Sequence, residues 1–262
     1  MSVTAATEDL RLRAGKLYRT KLHELGVESL DSKDELPSEY AELIREVVRV
    51  QCDVESVLMF EDLLRPLLDL APTPLDKMRM AKLHAEEFYH GYTFWKIYRE
   101  LDRELTWEDF FGDGQTRKAQ YVFSYSFDSW VDIAILNTLT DRMGAFVFND
   151  MVDCSYLPWR RVSQAVAKDE VGHCSLGYMN LKKVCEDPVQ REEAQQLLYK
   201  WYPAALDMFG RSDSERQWEY IAWGMKRSPN EVLRQAWLAE VNPLLEAVGL
   251  EPPDAMYNRR FV

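Results

Sequence analysis

Two short motifs in this chain place a histidine three residues after a glutamate: Glu87 with His90, and Glu170 with His173. Residues i and i+3 of an α-helix lie on the same face, so each motif presents a carboxylate beside an imidazole. Such a pair can bind one metal ion, or its carboxylate can bridge to a second. A single motif is weak because an acidic chain of this length contains one or two by chance. Two motifs on similar predicted hairpins are a stronger indication of a metal site.

The first motif lies on the second helix of a predicted antiparallel hairpin, and the spacing indicates a carboxylate on the first helix. The position midway between Glu55 and Glu87 falls in the Ala71-Pro72 turn. Residues equidistant from a turn lie level with each other in an antiparallel hairpin, so Glu55 is predicted to face Glu87. Asp53 and Glu61 are rival candidates, with midpoints at residues 70 and 74. Glu55 lies among apolar residues, and burial of its charge calls for a partner such as a metal ion or a salt bridge.

The second motif has a partner of the same kind. The midpoint between Asp141 and Glu170 falls at Ser155-Tyr156, which is the predicted turn of the second hairpin. Asp141 also lies among apolar residues, so the spacing predicts a second buried carboxylate level with the second motif. The alternative for Asp141 is a buried salt bridge, to Arg142 or Arg79.

Together the two hairpins supply four carboxylates and two imidazoles, which is the ligand set of a di-iron four-helix bundle. Four negative charges balance two ferrous ions. Oxygen and imidazole donors without thiolate suit iron or manganese better than zinc or copper(I), so we expect two iron ions or a manganese–iron pair, with O2 as co-substrate. The predicted metal ligands are Glu55, Glu87, His90, Asp141, Glu170 and His173.

Two further acids precede the motif glutamates directly. Glu86 and Asp169 each lie four residues before a histidine and could accept the distal N–H of the opposite hairpin's imidazole. The alternative for both is a solvated acid at a helix edge. His84 shares a face with Glu87, but it is interpreted as a packing residue because its hairpin already supplies an imidazole.

Periodicity and helix-breaking residues outline the elements that must position these side chains. The sequence predicts a short amphipathic helix and a loop in residues 1–36, and a first long helix to about Leu70 with Pro66 as a kink or early end. The further expected helices cover about 75–101, 121–152, 159–184, 188–208 and 229–246, with a loop at 107–116 and an extended tail from Pro252. The predicted fold class is therefore all-α, a four-helix bundle with additional C-terminal helices.

Composition narrows the function classes. The chain has 47% hydrophobic and 29% charged residues, an ordinary globular balance, and its length of 262 residues predicts one large domain over residues 1–262 in preference to two small ones. Within it we expect an N-terminal segment (1–36), a metal-binding bundle (37–185) and C-terminal helices with the tail (186–262). A net charge of −12 argues against binding to nucleic acid or to anionic membranes. The four cysteines show no metal-binding spacing, and no apolar signal segment is present, so a cytoplasmic location is expected.

Several segments around the predicted ligands resemble the phenylacetic acid catabolism family, in particular its catalytic epoxidase subunits. The similarity covers roughly Glu55 to Asp254, and an aspartate at the third-helix ligand position is a fairly specific mark of the family. The segments that carry the resemblance are Met80-Ala81-Lys82, Glu86-Glu87-Phe88-Tyr89-His90, Trp130-Val131-Asp132-Ile133, Lys168-Asp169-Glu170-Val171-Gly172-His173, Trp201-Tyr202-Pro203-Ala204, Trp223-Gly224-Met225-Lys226-Arg227 and Pro252-Pro253-Asp254.

The resemblance implies a ferritin-like fold and assigns ligand roles to the six residues named above. It implies oxygen activation and epoxidation of the ring of phenylacetyl-CoA or a related aromatic acyl-CoA. It also implies two kinds of partner, an NADPH-dependent reductase that carries flavin and an iron–sulfur cluster, and a sister subunit. The alternatives are a homo-oligomer, a di-iron or manganese–iron oxidase with another substrate, and a non-catalytic scaffold subunit.

Basic and apolar residues in the matching segments are candidates for substrate contacts. Lys82 could approach the carboxylates or an acyl-CoA, and Lys226 and Arg227 could meet the CoA phosphates. The alternative for all three is an ordinary surface position. Near the predicted ligands, four side chains could line a dry apolar pocket or could simply be core: Phe88, Tyr89, Met143 and Phe146.

Overall fold

The computed structural model describes residues 3–56, 61–104, 106 and 121–261, and helices dominate this part of the chain. An isolated parallel bridge between Leu30 and Tyr156 is the sole strand-like pairing within those ranges. The all-α prediction is thus confirmed. In chain order the helices are α1 Val3–Leu17, α2 Thr20–Glu24, α3 Ser38–Ser56, α4 Glu61–Asp69, α5 Pro74–Leu101, α6 Trp130–Met151, α7 Leu157–Cys185, α8 Pro188–Asp207, α9 Arg216–Ala222 and α10 Asn230–Ala247.

Helix ends that carry strong local signals lie where the sequence predicts them. Thr73 caps α5 by accepting the backbone N–H of Asp76, and Pro74 occupies the first turn. Asp187 caps α8 in the same way, by accepting the N–H groups of Val189 and Gln190. In both helices a short polar side chain satisfies N–H groups that have no partner within the helix. The helices predicted at 75–101 and 188–208 are therefore confirmed almost to the residue.

The start of the third long helix was predicted wrongly. The sequence predicts a helix from about Tyr121, whereas α6 begins at Trp130 and a 3₁₀ turn occupies Tyr121–Ser124. Between them the Ser126 hydroxyl donates to Asp128 Oδ2 over 3.1 Å. Short polar side chains that bond locally compete with helical hydrogen bonding. The apolar periodicity before Trp130 favours a helix and does not reveal this local hydrogen bonding.

Three further expectations had mixed outcomes. Pro66 lies inside α4, which continues to Asp69, so it does not end the helix at once. Residues 57–60 and the predicted loop at 107–116 fall outside the described residues. Helix α9 was missed, because its seven residues are too few to show a helical period.

In the described part of the chain, no helix combines the length and the apolar character needed to cross a membrane.

Two compact units can be distinguished. The smaller unit comprises the described residues of Ser29–Trp130 and Tyr156–Val162. Helix α3 packs against α5 in this unit, and α4 also contacts α5. Buried side chains such as Tyr40, Ile44 and Phe94 form its core, and the Phe94 ring lies 4.9 Å from that of Trp159.

The larger unit comprises the described residues of Met1–Glu28, Val131–Ser155 and Ser163–Val262. Its core is rich in tryptophan. Trp237 is fully buried and its indole N–H donates to the carbonyl of Leu139 in α6. Asp132, in the first turn of α6, accepts hydrogen bonds from Trp201 Nε1 (2.7 Å) and Lys200 Nζ (2.9 Å) on α8. These contacts fix α6, the helix of Asp141, against the C-terminal helices. The prediction of one domain stays a prediction.

Candidate metal centre

The first Glu-x-x-His motif lies in the middle of α5 with both side chains buried. Glu87 is 6% exposed and His90 is 3% exposed, and Glu87 Oε2 lies 3.0 Å from Nδ1 of His90. Glu55 of α3 is also buried, at 7% exposure. One ligand atom from each of these three residues lies within 4.8 Å of the other two. The structure thus brings together three of the six predicted ligands in the smaller unit.

The packing of α3 on α5 explains why Glu55 lies close to Glu87 and His90. The Cys52 thiol donates to the carbonyl of Gly91 over 3.8 Å, which sets the relative position of the two antiparallel helices. Three residues further along α3, Glu55 lies opposite Phe88, between the two motif residues. The register expected from the Ala71-Pro72 turn is therefore close to the observed one.

The rivals of Glu55 differ from it in their surroundings. Asp53 is buried, but its Oδ2 lies 3.7 Å from Nε of Arg49, one turn earlier on α3. This contact is the salt bridge that a buried carboxylate requires. Glu61 begins α4, and its side chain falls outside the described residues. Of the candidates whose side chains are described, Glu55 is the one that converges with Glu87 and His90.

The second motif lies on α7 in the larger unit. Glu170 and His173 are each 3% exposed, and Glu170 Oε2 lies 3.8 Å from His173 Nδ1. Gly144 of α6 lies against this pair, since a Cβ atom built on it would be 3.5 Å from the Glu170 carboxylate. A side chain at position 144 would therefore occupy space beside the candidate ligand.

A second glycine sets how closely α6 and α7 approach. A Cβ atom on Gly177 would lie 2.8 Å from the backbone carbonyl carbon of Asn137, which is too close for any residue but glycine without a shift of a helix. With Gly177 opposite Asn137 and Glu170 opposite Gly144, Asp141 lies opposite His173. The sequence predicted that Asp141 lies level with Glu170. The observed partner, His173, is three residues further along α7, so the register differs by less than one helical turn of about 3.6 residues.

Asp141 is less enclosed than the other candidate ligands. It is partly exposed, and its Oδ2 accepts a hydrogen bond of 3.2 Å from the Asn137 side chain. Burial, and then the negative charge of Asp141, raise the pKa of the Cys174 thiol well above its ordinary range, as expected for neighbours on facing helices. The arginines considered as salt-bridge partners have acids of their own, with Arg142 Nε 3.4 Å from Glu240 and Arg79 3.8 Å from Asp76.

The donor types of both sets fit iron. Each set contains one imidazole and carboxylate oxygens, all buried except those of the partly exposed Asp141. No thiolate joins the candidate metal-binding groups among the described residues. Glu55 and Glu87 are two buried carboxylates within 4.8 Å of each other, a separation at which like charges repel unless a proton or a cation lies between them. Glu55, Glu87 and His90 belong to the smaller unit, whereas Asp141, Glu170 and His173 belong to the larger one.

The two acids proposed to orient the histidines lie nearer to solvent. Glu86 is partly exposed, and its Oε1 lies 3.0 Å from Nζ of Lys82. Asp169 is exposed on α7. Their hydrogen bonds to the imidazoles stay predictions, and so does the contact of Lys82 with a substrate.

The proposed phosphate contacts lie beside the α6–α7 turn in the larger unit. Lys226 Nζ donates to the Asn230 side chain over 2.7 Å, and burial lowers the pKa of Lys226. The Arg227 guanidinium donates to the carbonyl of Asn149 and lies 3.4 Å from Asp153. Arg227 also lines a groove of about 270 Å³ whose other walls include Arg11, Tyr18 and Ser228. Two arginines, a tyrosine and a serine are thus among the residues that line this groove.

The expected pocket-lining residues divide into two groups. Met143 is buried, and Phe88 and Phe146 are partly buried, as a pocket wall or a core requires. Tyr89 is 65% exposed, so its prediction as the wall of an enclosed pocket was wrong. The helical period explains this, because Tyr89 lies about 160° around α5 from Glu87 at 100° per residue.

Sequence reasoning missed Asn137, Gly144 and Gly177. Asn137 bonds to Asp141, and the two glycines allow α7 to approach α6. Glycine inside a helical pattern costs about 1 kcal/mol relative to alanine, so its presence near candidate ligands was an available signal for close packing. No comparable signal marks Asn137.

Comparison with known proteins gives two findings. The family model described as phenylacetic acid catabolic protein matches residues 23–260. Over 152 residues the chain is also 31% identical to the A subunit of 1,2-phenylacetyl-CoA epoxidase of Escherichia coli K12. The matched segment covers 54% of this chain and 47% of that protein. The chain therefore spans about half the length of this curated relative.

Proposed function

The chain belongs to the phenylacetic acid catabolic protein family, and from that premise we propose that it is a di-iron monooxygenase that epoxidises the ring of an aromatic acyl-CoA. Membership in this family makes the chain ferritin-like, as the sequence resemblance implied. The substrate class follows the name of the E. coli relative, and phenylacetyl-CoA is the first candidate.

One observation carries the proposal more than any other: Glu55, Glu87 and His90 converge with their ligand atoms within 4.8 Å in a buried environment. Burying two carboxylates and an imidazole at this separation is costly unless a cation is present to balance their charge. In the proposal these three residues hold one half of the centre, and Asp141, Glu170 and His173 hold the other half. Support for joining the halves comes from the family and from the matched spacing of the two motifs.

When bound, the two irons would supply the reduction of O2 and the transfer of one oxygen atom to the ring, the second oxygen leaving as water. The protein's own contribution is geometric. The α5 and α7 backbones present each Glu–His pair on one helical face, and the glycines at positions 144 and 177 keep α6 close to α7. Buried Met143 and the partly buried Phe146 on α6 would help to keep bulk water from the reacting ring.

Substrate and electron supply belong to the same proposal. In the proposal the phosphate groups of a CoA tail bind at the groove lined by Arg11, Tyr18, Arg227 and Ser228, whose side chains are of types that bind phosphate. Lys226, which precedes Arg227 in the chain, is proposed as a further contact of these phosphates. Because an epoxidation by O2 consumes two external electrons, we propose an NADPH-dependent reductase with flavin and an iron–sulfur cluster as partner. A sister subunit is also proposed, since the E. coli relative is itself one subunit of its epoxidase.

The experiment that tests this function is single-turnover chemistry on the iron-loaded full chain. The chain is reduced chemically, mixed with O2 and one member of a panel of acyl-CoA esters, and the products are separated by mass. We expect one oxygen atom from ¹⁸O2 in the product of phenylacetyl-CoA or a close aromatic analogue. Asp141→Ala serves as the inactive control. Oxidation of the irons without any labelled acyl-CoA product would contradict the proposed substrate class.

A further inference from the structure

Asn137 is a buried amide in the apolar first half of α6. It is 8% exposed, and the helix around it carries fully buried apolar side chains such as Ile133, Ile135 and Leu139. Asparagine is a poor helix former because its side chain competes for backbone hydrogen bonds. Burying its amide also costs free energy unless the amide is hydrogen-bonded. Neither helix formation nor apolar packing therefore favours an asparagine at this position.

The hydrogen bond of Asn137 differs from those of comparable side chains on the same helix. The side chains of Thr138, Thr140 and Asn149 each donate to the backbone carbonyl four residues earlier, over 2.7–2.8 Å. This is the usual local bonding of short polar side chains in a helix. Asn137 instead donates from Nδ2 to the carboxylate of Asp141, four residues later, over 3.2 Å. Its amide thus serves a side chain where its neighbours serve the backbone.

The packing of α7 fixes the position of this donor. Gly177 brings the two backbones into contact, since a Cβ atom on it would lie 2.8 Å from the carbonyl carbon of Asn137. The Asn137 backbone therefore has little room to move toward α7. Asn137 and Asp141 are four residues apart and lie on the same face of α6. The amide is thus held where it restrains one oxygen of the Asp141 carboxylate.

The donor is also electrically neutral. A guanidinium beside Asp141 would balance its charge and compete with a metal ion for it. Arg142, the next residue, is directed elsewhere, with Nε 3.4 Å from Glu240 and Nη1 donating to the carbonyl of Thr138. An amide N–H restrains the carboxylate and leaves its negative charge in place. Such a donor suits a carboxylate that is to bind a cation.

We propose that Asn137 is a positioning residue for Asp141: its amide holds Oδ2, so that Oδ1 is the oxygen presented to an iron ion. The inference rests on the proposed function, in which Asp141 is an iron ligand. Asn137 acts through Asp141 and is not itself a ligand in this assignment. Hydrogen-bonded partners fix the orientation of metal ligands, and their loss typically lowers metal affinity about 10- to 100-fold.

The first test is a double-mutant cycle on the affinity of the full chain for Fe(II), measured by anaerobic titration against a competing chelator. Asn137→Leu keeps the number of side-chain heavy atoms and removes the donor, so we expect a loss of roughly tenfold. In the Asp141→Ala background the same change should alter the affinity by less than about twofold, because the interaction that it removes is already gone. Equal losses with and without Asp141 would overturn the proposal.

Thr138→Val is the matched control for this cycle. Thr138 is the next residue, is fully buried, and bonds to the backbone through its hydroxyl. We expect this variant to keep the wild-type affinity for Fe(II). Asn137→Ala repeats the cycle with a smaller side chain that favours the helix, and urea unfolding verifies that each variant is folded. A loss of affinity in Thr138→Val as large as that in Asn137→Leu would contradict a specific role of Asn137.

The second test uses the visible absorption of bound Co(II), which reports the geometry of its ligands. We expect a changed spectrum in Asn137→Leu and Asn137→Ala, because Oδ2 of Asp141 is released, and the wild-type spectrum in Thr138→Val. A residue that only stabilises the helix would alter the free energy of unfolding and leave the spectrum unchanged. An unchanged spectrum in both Asn137 variants would therefore count against the positioning role.

The same variants separate this inference from the proposed function. Wild-type iron affinity in Asp141→Ala would overturn the proposed centre, and the role of Asn137 with it. Loss of iron in Asp141→Ala together with wild-type affinity in both Asn137 variants would overturn the role of Asn137 alone.

Discussion

At the scale of residues, the candidate centre depends on which buried acid of α3 faces α5. Glu55 and Asp53 are both buried and lie two residues apart, so burial alone does not separate them. Their contacts do, because Asp53 lies beside Arg49 whereas Glu55 converges with Glu87 and His90. The ion pair with Arg49 accounts for the buried Asp53 carboxylate, whereas Glu55 lies in one group with a second carboxylate and an imidazole. This difference makes Glu55 the ligand candidate.

A pair of isosteric variants tests this assignment. Glu55→Gln removes a charged ligand, and we expect the affinity for Fe(II) to fall at least tenfold, the lower range of effects for residues that only support a ligand. Asp53→Asn should leave the affinity within about threefold, since its partner Arg49 is partly solvent-exposed. Anaerobic titration with Fe(II) against a competing chelator measures both. Equal losses in the two variants, or a loss confined to Asp53→Asn, would contradict the choice of Glu55.

At the scale of elements, α6 and α7 approach closely because two glycines allow it. Gly177 contacts the α6 backbone at Asn137, and Gly144 leaves room for the Glu170 carboxylate. Between these two contacts, Asp141 lies opposite His173. The position of Asp141 therefore depends on the contact between Gly177 and Asn137. This contact lies about one helical turn from Asp141 along α6 and contains no candidate ligand.

Gly177→Ala tests this dependence. Its Cβ would lie 2.8 Å from backbone atoms, so the helices must move apart, and we expect a loss of about 1–3 kcal/mol in the free energy of unfolding. Gly172→Ala is the control on the same helix, because nothing lies within 4 Å of a Cβ there. Removing that helical glycine should stabilise the chain by up to about 1 kcal/mol. Urea unfolding of both variants measures the difference, and similar stabilities would contradict the packing account.

The sequence was a good guide to elements whose boundaries are local. Thr73-Pro74 and Asp187-Pro188 mark helix starts through one side chain and one ring, and both starts were predicted correctly. The start of α6 was missed because local bonding at Ser126 and Asp128 replaces a helix that the apolar period favours. At the site, spacing was sufficient to place Glu55 near Glu87. The sequence did not predict that Asp141 lies opposite His173, three residues from Glu170. This register depends on the packing of Gly177 against the α6 backbone, which the spacing of the motifs does not contain.

At the scale of the whole molecule, charge and fold together restrict what the chain can do. A net charge of −12 repels anionic polymers, so a CoA ester needs a local basic site. The run from Leu10 to His23 is the candidate, since it is rich in lysine and arginine and contains no acid. Arg11 and Tyr18 of this run line the groove that Arg227 completes. Helix α1 and Tyr18, to which the sequence alone assigns no role, thus form part of the proposed substrate site.

The central claim is that the two Glu-x-x-His hairpins together bind a pair of irons. The most direct measurement is the iron content of the full chain after anaerobic loading and removal of loosely bound metal. The account predicts about two irons per chain, the stoichiometry of carboxylate-bridged helical bundles, and a clear loss in folded Asp141→Ala and His173→Ala. Binding of less than about one iron per chain, or an unchanged content in both variants, would contradict it.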